Sequence, residues 1–307
     1  MEINSSADYV RLTRAALAAA GLVRRERDGM VWWESGGADR ESGVGDWESG
    51  VGSRAYGVSG SSGSGETSPG PDSRLLTPIS RVLTPTLVLL HGANDNAGTW
   101  FTVAAALART HRLIVPDLAG HGESAPSSGP IPISTVVSRL ERLLESERDF
   151  TLVGNSFGGW MALIYALLHP ERVSRLVLEA SGGLSRPLAI SLAARSREEA
   201  LPILRAVHGP AFQPPEWAIE ALLQRAVDSP MLRLTELLEH ATEPRLGEIR
   251  IPATLVWGAD DGVLPLSYAE ALRQAIPHAE LRVIEGAAHI PHLHQPQRFL
   301  ECLTAIC

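Results

Sequence analysis

The chain has 307 residues, 44% hydrophobic and 20% charged, with a net charge of −8; it is long and apolar enough to bury a core without staples. The acidic balance argues against nucleic acid as a partner, and no apolar run reaches the length of a membrane span. All 27 basic residues are arginine, which removes Schiff-base and P-loop lysine chemistry.

The two cysteines, Cys302 and Cys307, lie in the last six residues. They form no disulfide framework, are read as non-functional, and suggest a reducing, cytoplasmic compartment. Ala15 to Val23 is apolar and follows Arg11 and Arg14, but Gly21 interrupts it and Arg24-Arg25-Glu26-Arg27 comes next. An amphipathic surface helix fits that pattern better than a secretion signal.

Residues 1–34 open the core. Asp8 to Ala20 predicts a helix stopped by Gly21, and Leu22 to Glu34 a β-hairpin turning at Asp28-Gly29. Then the composition shifts. Glu34 to Arg40, Glu41 to Trp47 and Glu48 to Arg54 are three copies of a seven-residue Glu-Ser-Gly unit. So many small residues cannot sustain the helix that a coiled-coil heptad requires. Residues 35–73 are therefore expected to form a disordered low-complexity insertion; the alternative is a partner-binding loop around Trp47 or Tyr56.

A first core segment, 74–180, regains order at Thr86. Leu87 to Leu90 is apolar throughout, as suits a strand buried on both faces of a parallel sheet. It ends in His91-Gly92, and a helix is expected to about Arg109. Arg112 to Val115 predicts the next strand, closed by Pro116-Asp117-Leu-Ala-Gly120-His121-Gly122-Glu-Ser124. Ser134 is placed to cap a helix reaching about Glu147. The strand Phe150–Val153, a helix to His169-Pro170 and the strand Val173–Leu178 complete an alternation that indicates an α/β protein with a doubly wound, mostly parallel sheet.

Between Ser181 and Gly247 no strand is expected, only helix starts at Ser185, Pro214-Pro215 and Ser229-Pro230. Residues 181–247 read as a helical cap over the C-terminal edge of the strands, where open α/β sheets bind ligands. The second core segment, 248–307, supplies a strand Ala253–Trp257, a helix from Ser267, a strand Glu280–Ile284 and a last helix after Pro296.

The chemistry centres on Gly154-Asn155-Ser156-Phe157-Gly158. Gly-x-Ser-x-Gly between a strand and a helix is a nucleophile elbow, with the serine on a strained turn and glycines where side chains would collide. A serine hydroxyl needs a base to take its proton and a third group to orient that base. Downstream, one strand ends in Asp260-Asp261 and another in a loop containing His289, His292 and His294, the serine, acid, histidine order of the elbow motif.

With Leu-Leu-His91-Gly92, Pro-Asp117-Leu-Ala-Gly-His121-Gly-Glu-Ser124, Gly-Asn-Ser156-Phe-Gly-Gly159, Trp257-Gly-Ala-Asp-Asp261 and Gly286-Ala-Ala-His289, the chain resembles the α/β-hydrolase fold superfamily. It is similar to the capped branch of serine esterases, lipases and carbon–carbon bond hydrolases, over about residues 86 to 307 outside the cap. The resemblance implies that Ser156 is the nucleophile, Asp261 the orienting acid and His289 the general base. The family pattern Trp-Gly-x-x-Asp-x-x-x-Pro selects Asp261 over neighbouring Asp260, and Glu179 is a substitute acid. Two backbone N–H donors should stabilise the oxyanion, one from Phe157, after the nucleophile, and one that the resemblance assigns to Ala93.

His91, Asn155, Trp160 and Ile290 are candidate pocket residues. Against that, His91 and His121 follow strand ends where structural roles are expected, and Trp100, Trp160 and Trp257 sit in packing contexts. Asp117 is expected to bond its own turn and His208 to lie on a surface or boundary. His289, His292 and His294 lack an acidic ligand to complete a metal site, so no metal or cofactor is expected. The expected partner is a small-molecule ester with an apolar acyl group, received by Leu188, Ile190, Leu192, Leu201, Ile203, Leu204, Phe212 and Trp217 of the cap. A meta-cleavage carbon–carbon bond hydrolase is the alternative, suggested by Asn155 and Gly182-Gly183-Leu184 but not by Ile290, where those enzymes resemble one another in a tryptophan. A ligand-binding receptor on a hydrolase frame is the alternative from another class. Oligomeric state is not legible.

Overall fold

Helix α1 (Ser6–Ala19) leads the chain, and the Ser5 hydroxyl caps it by accepting the Asp8 N–H at 3.1 Å. This computed structural model describes residues 4–36, 84–225 and 229–304. From residue 37 on, the Gly/Ser-rich insertion, with Trp47 and Tyr56, lies outside the described residues, as does Cys307. After α1 come β1 (Leu22–Arg27) and β2 (Met30–Ser35). Asp28 and Gly29 join them with φ of 52° and 71°, positive at both central residues as the tight hairpin turn favoured by Asp-Gly requires.

Then follow β3 (Thr86–Leu90), α2 (Phe101–Leu107), β4 (Arg112–Pro116), β5 (Ile131–Pro132), α3 (Ile133–Leu143), β6 (Phe150–Asn155), α4 (Phe157–Leu168) and β7 (Val173–Glu179). An inserted segment carries α5 (Arg197–His208), α6 (Glu216–Arg225), α7 (Pro230–Arg233) and β8 (Leu234–Thr235). The chain returns with β9 (Ala253–Gly258), α8 (Leu266–Ala275), β10 (Glu280–Ile284), α9 (Pro291–His294) and α10 (Pro296–Thr304).

Eight strands form one sheet in the order β1-β2-β4-β3-β6-β7-β9-β10. The pairings β1–β2 and β2–β4 are antiparallel and the rest parallel. Successive residues of β3 go to opposite faces, and both faces are covered. Val88 and Leu90 join the cluster under α3, α4 and α8, whereas Leu87 and Leu89 join the one with Leu17, Trp100 and Phe299. That two-sided burial is why the central strands read as unbroken apolar runs. Register then sets the site: Leu90 pairs with Gly154, Asn155 with Glu179 and Ile284 with Gly258, so the loops after β6, β9 and β10 leave the same edge of the sheet.

Three expectations are corrected. Ser134 does not cap α3, which starts one residue earlier behind Pro132 and ends at Leu143; the buried stripe Ile133, Val136, Val137 and Leu140 decides its extent. No helix starts at Ser185, whose N–H is held instead by the Glu243 carboxylate at 2.8 Å. The first helix of the insertion starts at Arg197, where the Ser196 hydroxyl accepts the Glu199 N–H. Finally, the insertion does contain a strand. Leu234–Thr235 pairs in parallel with Ile131–Pro132, beside the Arg233 guanidinium, which donates to the carbonyls of Pro126, Ser127 and Gly129.

Candidate active site

The sharpest feature of the backbone is Ser156, at φ 51° and ψ −111°, a combination few non-glycine residues adopt. The two flanking glycines make it possible. A Cβ on Gly154 would fall onto the carbonyl of Gly158, and one on Gly158 onto the carbonyls of Leu90 and His91. The turn is held by its own main chain. The Ser156 N–H donates to the Glu179 carbonyl at 2.9 Å, and the Ser156 carbonyl accepts from Trp160 at 3.1 Å and Gly182 at 3.0 Å. With β6 behind it and α4 ahead, the hydroxyl stands beside the positive end of that helix.

Ser156 Oγ lies 3.0 Å from His289 Nε2, and His289 Nδ1 lies 2.9 Å from Asp261 Oδ2. The Asp261 carboxylate also accepts the N–H groups of Val263 and Leu264, each at 2.9 Å, so donors on two sides fix its orientation. Geometry assigns the ring proton to Nδ1, facing the carboxylate, and leaves Nε2 to accept from the serine. His289 is tied down at both ends of its own residue. Its N–H donates to the Val207 carbonyl at 3.1 Å, and its carbonyl accepts from Asn155 Nδ2 at 3.1 Å. Asp260, by contrast, is exposed and touches neither.

The other singled-out residues divide. His91 is fully buried; its Nε2 accepts the Leu118 N–H at 2.9 Å and its Nδ1 faces the Gly92 carbonyl. His121, also buried, has its pKa lowered to about 3, by burial first and then by His91. Asp117 accepts the N–H groups of Ala97 and Glu123. His289, His292 and His294 do not converge: His292 meets Glu179 and Thr99, and His294 accepts the Ala288 N–H and faces His208 at 3.3 Å. His208 sits where the end of α5 meets the His289 loop, and burial, followed by the charges of His294 and His289, lowers its pKa to about 4.

Above Ser156 opens a cavity of about 400 Å³, mostly apolar, whose floor includes Ala93, Ser156 and Phe157. Of the candidate pocket residues, Trp160 lines it; His91, Asn155 and Ile290 do not. Asn155 is buried behind the elbow, and Ile290 begins the turn into α9. The expected wall also needs correction. Leu188 and Leu192 reach the cavity, whereas Ile203 and Leu204 pack with Ala200 and Ile219 in a small core internal to the insertion, against which Ile190, Leu201 and Phe212 also pack. Trp217 stacks on Tyr9. More of the wall comes from Met231, Leu234, Leu237, Leu238 and Ala241, spaced like one face of a helix although the helix there covers only Pro230–Arg233.

Sequence reasoning also missed the Glu179–His292 pair. A signal existed: a glutamate directly after the apolar run Leu176-Val177-Leu178 of a central strand must find a partner once buried.

A mostly parallel sheet that gathers a serine, a histidine and an aspartate at its C-terminal edge is the frame of a hydrolase. Residues 87–301 match the model of the alpha/beta hydrolase family, and the chain belongs to that family. It is 28% identical over 252 residues to an uncharacterized protein, Rv2715, of Mycobacterium tuberculosis, covering 70% of this chain and 73% of that one. It is 25% identical to the monoacylglycerol lipase abhd6-A of Xenopus laevis, covering 71% of this chain and 74% of the relative. Among solved structures, a bacterial membrane phospholipase A has the same fold, with a TM-score of 0.70 at 22% identity, over 97% of this chain and 89% of the other. No helix among the described residues is long and apolar enough to cross a membrane.

Proposed function

We propose that this chain is a serine hydrolase that cleaves the carboxylic ester of a small or medium apolar acyl group through an acyl-enzyme. The observation that carries the reading is the 3.0 Å approach of Ser156 Oγ to His289 Nε2 on the floor of an apolar cavity. In this mechanism Ser156 attacks the ester carbonyl while His289 Nε2 takes its proton, and Asp261 keeps the ring oriented and stabilises the imidazolium that forms. The N–H groups of Ala93 and Phe157 serve as the oxyanion hole; Phe157 is the first residue of α4, so its N–H has no acceptor within the helix. The imidazolium then returns its proton to the leaving alcohol. Water, activated by the same nitrogen, attacks the acyl carbon and releases the acid and the serine.

The insertion acts as a cap, its leucines forming the acyl-binding wall, and the similarity to a monoacylglycerol lipase supports an ester substrate. Turnover of p-nitrophenyl esters of increasing chain length, with fluorophosphonate labelling of Ser156, tests the proposal. A protein that neither labels nor turns over any ester would refute it.

One observation favours a second reading. Gly182, Gly183 and Leu184, the stretch by which the sequence resembles meta-cleavage hydrolases, line the cavity. Preferential turnover of a vinylogous 1,5-diketone acid over p-nitrophenyl butyrate would establish carbon–carbon cleavage instead.

A further inference from the structure

Glu179 joins the turn of the nucleophile to the segment that follows the base, one through each end of the residue. Its carbonyl accepts the Ser156 N–H at 2.9 Å. Its carboxylate accepts the His292 N–H at 2.7 Å through Oε1 and faces His292 Nδ1 at 2.7 Å through Oε2. His292 lies three residues beyond His289, and Pro291, with its restricted φ, stands between. Other contacts anchor the same imidazole: Thr99 Oγ1 at 3.1 Å from Nε2, the Trp100 ring at 4.1 Å, and Thr102 Oγ1 donating to the His292 carbonyl at 2.6 Å. Glu179, His292 and Thr99 are essentially inaccessible to bulk solvent.

We propose that Glu179 is a positioning residue for proton transfer between Ser156 and His289: its main chain holds the nucleophile's turn while its carboxylate holds the turn that carries the base. The inference rests on the roles proposed above for Ser156 and His289. Glu179 does not contact His289 and does not act as its acid. The device is geometric, a fixed length of side chain between two loops, so its effect depends on reach more than on charge.

That distinction makes the test. Glu179→Gln keeps the length, with its carbonyl oxygen free to accept the His292 N–H and its amide to donate to Nδ1, the ring proton moving to Nε2 and toward Thr99 Oγ1. Glu179→Asp keeps the charge but falls one methylene short, and Glu179→Ala removes the link. The readouts are the rate of fluorophosphonate labelling of Ser156, and kcat and KM for p-nitrophenyl butyrate per folded molecule. Misplacement of reacting groups by about 1 Å costs roughly a hundredfold. The expected order is therefore a loss of up to about threefold for Gln, about tenfold for Asp and about thirty- to a hundredfold for Ala, all in labelling rate and kcat, with KM within about twofold. If Glu179→Ala does not fold, the Gln–Asp order decides. Asp outperforming Gln, or wild-type labelling rates in both, would overturn the inference. Absence of labelling in the wild type would instead sink the hydrolase reading, and this inference with it.

Discussion

Two imidazoles three residues apart, one in the loop after β10 and one in α9, are built alike and surrounded differently. His289 has Asp261 on Nδ1 and Ser156 on Nε2; His292 has Glu179 on Nδ1 and Thr99 on Nε2. On a list of distances the two cannot be told apart. The hydroxyl of the first stands on a strained turn at the floor of a cavity, beside the free N–H end of α4. The hydroxyl of the second is buried in the core and does not line that cavity. A carboxylate–imidazole–hydroxyl chain is therefore not a reactive centre by itself. It becomes one where a substrate atom can approach and preset donors await the charge that develops.

The sharpest way to break this comparison is to remove the hydroxyl at each ring. Ser156→Ala should lower ester turnover by about three to six orders of magnitude and abolish fluorophosphonate labelling. Thr99→Val, the matching change at the sealed ring, should leave kcat within about twofold. The carboxylate comes next in size: Asp261→Asn should cost roughly 10⁴-fold in kcat, because the neutral amide permits the wrong ring tautomer. Filling the space over the first ring sharpens the contrast. Leu237→Trp should lower kcat/KM for octanoyl esters by about tenfold or more while sparing acetyl esters, and an unchanged chain-length profile would remove Leu237 from the acyl wall.

Smaller effects belong to stability. His208, held neutral with a pKa lowered to about 4, binds no proton in the native state as pH falls below about 6.5, whereas the unfolded chain does. The unfolded state thus takes up more protons, and stability drops between about pH 6.5 and 4. The lowered pKa of His121 acts in the same direction. Calorimetry should show Tm falling across that window, less steeply in His208→Asn. Thr99→Val should lose about 1–2 kcal/mol through the deprived Nε2 of His292.

Much of the core was legible because its signals are local. Apolar runs such as Leu87–Leu90 must become strands covered on both faces, and Gly154 and Gly158 mark a turn that side chains would block. The resemblance to hydrolases assigned a role to Asp261, and the folded chain brings Asp261, not Asp260, to His289. The inserted segment was read less well. Its helical pattern pointed to Ile203, Leu204 and Phe212 as the wall, yet these pack in or against the insertion's own small core. An apolar helix face declares only that it is buried, not what it is buried against.

From sequence alone came the parallel α/β frame, the elbow at Ser156 and the order of serine, acid and histidine, since backbone sterics and apolar periodicity operate over a few residues at a time. Only the tertiary structure decided which leucines line the cavity, and that Glu179 spends its carboxylate on His292 rather than His289. Those choices depend on strand order and register, through which residues more than a hundred positions apart come within 3 Å, and no short stretch of chain encodes such a distance.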